Sequence, residues 1–248
     1  MRSFKLAKYN IKSNLKSIII YYCILITFVT SITFLSGDGG NTSGIEFATM
    51  IFLFVLGLNS FKENFYFAQA NNISRVDYFK SLSITILPIA LGMSIIDVIL
   101  NRIYNIFSVG PMIYDMGYGD FPSIYNILNK ELWIQSNNVQ IIIRTVTFLF
   151  AFYIAAFAIG LLITMIFNKC NKTMKILMFI IPIAIQVILA NVAFNSPEFA
   201  KKTEVFFNNI LGLNTKNSYM AVITFICLFI ISMSFVYMLV SRAVVKRA

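Results

Sequence analysis

Long apolar runs divided by polar connections dominate this chain. The runs cover residues 18–35, 44–60, 82–100, 139–167, 176–194 and 218–241. A helix needs roughly 20 apolar residues to cross a hydrocarbon core of about 30 Å, and each run approaches or exceeds that length. The pattern predicts an all-α integral membrane protein: one transmembrane domain over 1–248 with six transmembrane helices. The second run is the shortest, and Glu46 stands at its indistinct beginning. Barrel strands would show shorter, alternating segments, which are not seen.

The polar connections orient the spans. Arg2, Lys5, Lys8, Lys12 and Lys16 precede the first run, and Lys62, Arg75 and Lys80 follow the second. Lys169, Lys172 and Lys175 follow the fourth, and Arg242, Lys246 and Arg247 follow the sixth. These make up most of the 20 Lys and Arg, and basic residues collect in cytoplasmic connections. Both termini are therefore expected in the cytoplasm of a multi-pass protein of the bacterial plasma membrane. The acids Asp38, Glu46, Asp115, Asp120, Glu131, Glu198 and Glu204 then fall outside.

Residues 3–16 predict a basic amphipathic helix lying on the inner leaflet, with membrane lipid as its partner. Lys5, Lys8, Lys12 and Lys16 recur at spacings of three and four; Phe4, Ala7, Ile11, Leu15 and Ile18 do so on another face. The first apolar run begins too late, and lacks a small-residue cleavage site, for a secretory signal peptide.

Composition agrees with the spans: 58% of residues are hydrophobic and 12% charged, where soluble domains carry about a quarter charged. The net charge of +10 does not point to nucleic acid, because the basic residues flank apolar runs instead of forming a soluble face. Histidine is absent, and Cys23, Cys170 and Cys227 are scattered. Neither zinc ligation nor a nucleophile–histidine pair can be assembled, so no catalytic, cofactor or metal residues are expected. No GxxxxGK[ST] motif occurs, so this chain is not expected to hold ATP. The Gly-rich run at 37–44 has no Walker lysine and no second carboxylate at calcium-loop spacing, and reads as a tight turn.

Two outer connections are longer, 101–138 and 195–217. The first carries an aromatic, Gly- and Pro-bearing stretch. The second carries Phe199, Phe206, Phe207, Ile210 and Leu211 and reads as a half-buried or interfacial piece.

The cytoplasmic connection at 61–81, FKENFYFAQANNISRVDYFKS, is far longer than a turn requires. Phe61, Phe65 and Ala68 fit one apolar stripe, with Lys62, Glu63 and Asn64 beside it. Asn71 and Asn72 supply a left-handed helix stop. Ser74 followed by Asp77 is a capping-box-like start. Helix, sharp turn and capped helix suit a docking element for a cytosolic protein.

This layout resembles the ABC-2 type (type V) ABC exporter permeases. Residues 72–79, NISRVDYF, are similar to that family's Gly-hydrophobic-Ser-Arg-x-x-Tyr/Phe-Phe pattern, with Asn72 in place of the usual Gly. Asn also tolerates positive φ. The resemblance implies a coupling helix between spans two and three that sits in a groove of a separate ATPase, and extracellular helices between spans five and six. It implies ATP and Mg on the ATPase subunit and none on this chain. Size and layout most resemble small permeases of Gram-positive peptide exporters, such as phenol-soluble-modulin transporters and lantibiotic immunity systems. Phe61, Lys62, Glu63, Phe65, Asn71, Asn72, Ser74, Arg75 and Asp77 are the expected docking residues.

Asp97 and Arg144 are the ionisable side chains expected inside the spans. Each lies about five residues from the outer end of its span, hence about 8 Å deep at roughly 1.5 Å per residue. Matched depth predicts an ion pair between spans three and four, against separate snorkelling to the headgroups or a proton-coupling role for Asp97. Ala151 with Ala155, and Ala156 with Gly160, give small-xxx-small spacings for close helix packing. Pro88 and Pro182 are expected to kink spans three and five.

The expected function is the membrane subunit of an ATP-driven exporter, paired with a second copy of itself and two ATPase subunits. An amphipathic or hydrophobic substrate, a peptide above all, suits an apolar pathway. The competing readings are an ion-gradient-driven secondary transporter and a non-transporting immunity or assembly factor.

Overall fold

The computed structural model describes residues 2–35, 43–119 and 135–241. These form helices α1 (Arg2–Leu35), α2 (Glu46–Asn59), α3 (Lys62–Ala70), α4 (Arg75–Phe107), α5 (Ile113–Tyr118), α6 (Val139–Lys169), α7 (Lys172–Asn195), α8 (Pro197–Leu211) and α9 (Ser218–Ser241). No strand occurs among the described residues. Most of the Gly-rich run, the middle of the 101–138 connection and the basic C-terminal residues lie outside the described residues.

Five helices, α1, α4, α6, α7 and α9, are long and apolar enough to cross a membrane. The second expected span is shorter than the sequence pattern predicts, because α2 has 14 residues and starts only at Glu46. It nonetheless runs between the same two ends as the long helices.

At one end, Arg2 donates to Asn72 O (3.4 Å) and Arg75 donates to Ser241 O (2.7 Å). Lys62 and Glu63 there share a groove with Asn168 and Lys175. At the other end, Gly44 N–H donates to Pro111 O (3.4 Å) and Tyr118 donates to Leu211 O (2.6 Å).

Helix α6 is the centre of the bundle, packed against α2, α4 and α9. Its core-facing Leu149, Tyr153, Ala158 and Leu161 are fully buried. The α2–α6 crossing is close enough for Thr164 Oγ1 to donate to Leu58 O across it (2.7 Å). Helix α1 packs along α4, whereas α7 touches mainly α8 and buries none of its described side chains.

One local expectation changes. The amphipathic helix expected at 3–16 is not a separate piece: α1 runs through 34 residues without a break. Nothing between Arg2 and Leu35 is Gly or Pro, so nothing in the sequence stops the helix. Lys5, Lys8, Lys12 and Lys16 are exposed, but so are Phe4 and Leu15 of the proposed apolar face. The inward side keeps Ala7, Ile11 and Ile18 of that face and adds Leu6 and Asn10, with Ala7 O accepting from Thr85 Oγ1 (3.5 Å). Residues 197–211 form a regular helix, closed by Gly212 at φ +68, with Leu213 N–H returning to Asn208 O (2.9 Å).

Candidate functional site

The first candidate is the segment between α2 and α4. Helix α3 ends in paired returns, Asn72 N–H to Gln69 O (3.1 Å) and Ile73 N–H to Ala68 O (2.9 Å), with Asn72 at φ +53. This is the Schellman geometry, in which a left-handed residue satisfies the last carbonyls of a helix. Two residues later Ser74 caps α4, accepting from Asp77 N–H (3.1 Å) and donating to the Asp77 carboxylate (2.9 Å). The two helices are thereby set at a fixed turn.

The nine expected docking residues divide between the inside and the outside of this element. Phe61, Phe65 and Ala68 are buried against Tyr78, with Phe61–Phe65 ring centroids at 5.0 Å and Phe65–Tyr78 at 5.3 Å. Tyr78 also donates to Ser60 O (2.9 Å) and Phe61 O (3.2 Å), tying the start of α3 to α4. Phe61 and Phe65 therefore hold the element to the body and are not available to a partner.

Lys62, Glu63, Asn71, Asn72, Ser74 and Arg75 are exposed, while Asp77 is half-buried at the cap. Tyr9 of α1 stacks on Phe67 at 5.0 Å, adding a third support. Beside α3 lies an open groove of about 680 Å³, lined by Asn59, Lys62, Glu63, Thr164, Asn168 and Lys175 among others.

The second candidate is a buried polar cluster at the opposite end. Asp97 on α4 is 7% exposed and accepts hydrogen bonds from Tyr22 of α1 (2.9 Å) and from Tyr153 of α6. Thr49 of α2, itself bonded to Tyr21 (2.8 Å), reaches the same carboxylate. Three helices thus converge on one acid carried by a fourth.

The expected Asp97–Arg144 ion pair does not form. Arg144 is exposed and lies 5.7 Å from the centre of the Tyr219 ring, a cation–π contact with α9. Neither depth nor facing matches, because Asp97 lies against Tyr153, and Arg144 is nine residues before Tyr153 on α6, about 13 Å along the axis and roughly half a turn round it at about 1.5 Å rise and 3.6 residues per turn. Tyr153 faces Asp97, so Arg144 faces away.

Glu46 was expected among the outer loop acids. It is instead 2% exposed at the first turn of α2, and its Oε2 has no hydrogen-bond partner among the described residues. The backbone N–H groups of Glu46 and Ile113 face its carboxylate. Glu46 and Asp97 both line a cavity of about 250 Å³ between α1, α2 and α4.

A polar lattice continues outward from there. Asn101 donates to Gly110 O (2.8 Å), and Gln135 donates to both Asn101 Oδ1 (2.8 Å) and Asp115 Oδ2 (2.8 Å). Arg102 donates to Ser136 O (2.8 Å) and Asn137 Oδ1 (3.2 Å). Burial pushes the Tyr118 phenol up to about 12, which keeps it protonated as the donor to Leu211 O.

Tyr22, Tyr153, Thr49 and Glu46 are functional candidates that the sequence pattern did not single out. The available signal was a tyrosine inside each of two apolar runs, since a buried phenol usually finds a hydrogen-bond partner.

No group of three or more metal-ligating acids, cysteines or histidines occurs among the described residues. Its five long apolar helices make the chain a multi-pass helical membrane protein. No protein-family model, no curated protein and no solved structure matches it.

Proposed function

We propose that this chain is the membrane subunit of an ATP-binding-cassette exporter, moving an amphipathic or hydrophobic substrate, a peptide above all, with energy from a separate cytosolic ATPase. The observation that carries the reading is the construction of residues 61–79. Exposed Lys62, Glu63 and Arg75 stand on an element whose inner side is locked by Phe65 and Tyr78. Helix α4 then runs unbroken from Arg75 to Phe107. A force applied at the exposed side is passed along one continuous helix, which carries Pro88 within it, to the Asp97 cluster. The groove beside Lys62 and Glu63 offers room for a partner's side chains.

Six crossings accord with α2 running between the same two ends as the five long helices. Its 14 residues span about 21 Å at roughly 1.5 Å per residue, so the bilayer thins or the flanking residues complete the crossing. The basic residues at the Arg75 end support cytoplasmic termini in a bacterial plasma membrane. Two copies of the chain with two ATPase subunits, which hold the ATP and Mg, make the working unit.

The test is co-purification with a cytosolic ABC ATPase from the same cells. Lys62→Glu, Glu63→Lys and Arg75→Glu together should abolish both the complex and the stimulation of ATP hydrolysis, while the chain still elutes as a folded species. A complex that survives all three changes rules out this docking element.

The buried Glu46 and Asp97 favour a second reading, an ion-gradient-driven transporter. Transport into vesicles that continues without ATP and stops when the proton gradient is collapsed would select it.

A further inference from the structure

We propose that the cavity between α1, α2 and α4 binds a lipophilic ammonium ion, its charge against Glu46 and Asp97 and its hydrocarbon body against the helix walls. The proposal is independent of the ATPase reading, since it concerns what this chain binds by itself.

The cavity, about 250 Å³, has walls of Leu25, Ile26 and Val29 from α1 and Leu100, Ile103 and Phe107 from α4. Apolar walls with a few placed polar groups are the usual form of a small-molecule site. The charged groups here are the acids Glu46 and Asp97, with Thr30, Asn101 and Tyr104 as the neutral polar lining, and no Lys or Arg among the described residues lines the cavity. Arg102, on the same helix as Asp97, is turned to Ser136 and Asn137.

The two carboxylates are placed differently. Asp97 has its two phenolic donors, Tyr22 and Tyr153, which fix its orientation. Glu46 Oε2 is buried at the cavity and has no partner among the described residues. A buried polar oxygen left without a donor is costly, and a buried carboxylate charge calls for a positive partner. An ammonium N–H supplies both.

The remaining chemistry narrows the ligand. An anion would meet two acids, and a sugar would leave its hydroxyls against leucine and isoleucine. A hard metal ion wants about six oxygens around it, whereas most of this wall is hydrocarbon and the Asp97 carboxylate is already taken by two phenols. A cation carrying its own apolar body matches both parts of the cavity.

The experiment uses the full chain in phosphatidylcholine nanodiscs, with empty discs subtracted. Binding of radiolabelled 4-phenylbutylammonium is measured against 4-phenylbutanol and 4-phenylbutyrate, which keep the body and change only the head. Saturable binding of the ammonium, roughly tenfold or more tighter than the alcohol, is expected. Glu46→Gln and Asp97→Asn should each weaken it by a similar factor.

Leu100→Trp, which fills the cavity and leaves both acids in place, should abolish it. Adding phosphatidylethanolamine distinguishes the sources: displacement of the probe means that a lipid headgroup supplies the amine, and no displacement means a free amphiphile does. Equal binding of ammonium and alcohol overturns the proposal. So does ammonium binding unchanged in Glu46→Gln and Asp97→Asn. If either acid variant fails to fold, the comparison of head groups and Leu100→Trp still decide.

Discussion

Gly57 of α2 and Gly160 of α6 lie face to face, each pressed on the backbone of the other helix. A Cβ on Gly57 would strike Phe157 O, and one on Gly160 would strike Phe54 O. Backbone is the least yielding neighbour a new methyl group can meet. Close approach through small residues is how apolar helices associate where lipid removes the hydrophobic drive. The reciprocal fit also sets the distance at which Thr164 bonds Leu58 O.

Gly57→Ala and Gly160→Ala should therefore each destabilise the chain by about 1–3 kcal/mol, the usual cost of overpacking. Gly92→Ala is the control: its Cβ would meet nothing within 4 Å, and the change should be neutral or slightly stabilising. Thermal unfolding followed by helical circular dichroism in detergent reads all three. Equal midpoints for Gly57→Ala and Gly92→Ala would remove the close crossing.

The Asp97 cluster gives a second expectation. Tyr153→Phe and Tyr22→Phe each remove one donor from a buried carboxylate, at about 1–3 kcal/mol apiece. Because both phenols serve one acid, the double variant should depart from additivity. Asp97→Asn should be milder than Asp97→Leu, which leaves Tyr153 without its acceptor and Tyr22 with only Met93 O (3.2 Å). A double-mutant cycle on unfolding midpoints measures the coupling, and strict additivity would show that the two tyrosines act separately.

Where the controlling forces are local, the sequence was readable. Apolar run length marks the long helices, since a span must reach across hydrocarbon whatever it packs against. The Asn72 stop and the Ser74–Asp77 cap were legible because each is settled within a few residues of chain.

What failed depended on rotation about a helix axis or on distant loops. Neither the depth nor the facing of Asp97 and Arg144 was legible, since Asp97 lies level with Tyr153, nine residues further along α6 than Arg144. Glu46 is enclosed only once residues near Pro111 and Ile113 fold back over the start of α2, and nothing next to Glu46 in sequence signals that. The uninterrupted α1 was a different matter: a change in polarity at residue 18 was read as a change of element, although no helix-breaking residue is there.

Asn72 tests the turn between α3 and α4. At φ +53 a side chain with a plain Cβ is strained, so Asn72→Ala should cost about 1–2 kcal/mol, whereas Asn72→Gly should be tolerated. Ser74→Ala should cost about 1 kcal/mol through loss of the cap. Limited proteolysis at 70–75 is the readout that separates this local loosening from global unfolding. Both Asn72→Ala and Ser74→Ala should be cut faster there, and Asn72→Gly should not.

Charge reversal at Asp97 and Arg144 separates the observed arrangement from the ion pair that depth alone suggests. Asp97→Arg places a cation among Tyr22, Tyr153 and Thr49, at a position only 7% exposed whose phenols are set to donate to a carboxylate. On insertion scales the charge alone costs about 3 kcal/mol at mid-membrane, so folded yield should fall sharply. Arg144→Asp gives up only a cation–π contact with Tyr219, about 0.5–1 kcal/mol at an exposed site, and should express near the native level. The double reversal should then be as poor as Asp97→Arg by itself, because the two side chains lie on opposite sides of α6. Yield of monodisperse protein after size-exclusion chromatography is the measurement. Recovery of the double variant would mean that the two charges meet, and α6 would have to be both turned by about half a revolution and shifted along its axis by about 13 Å.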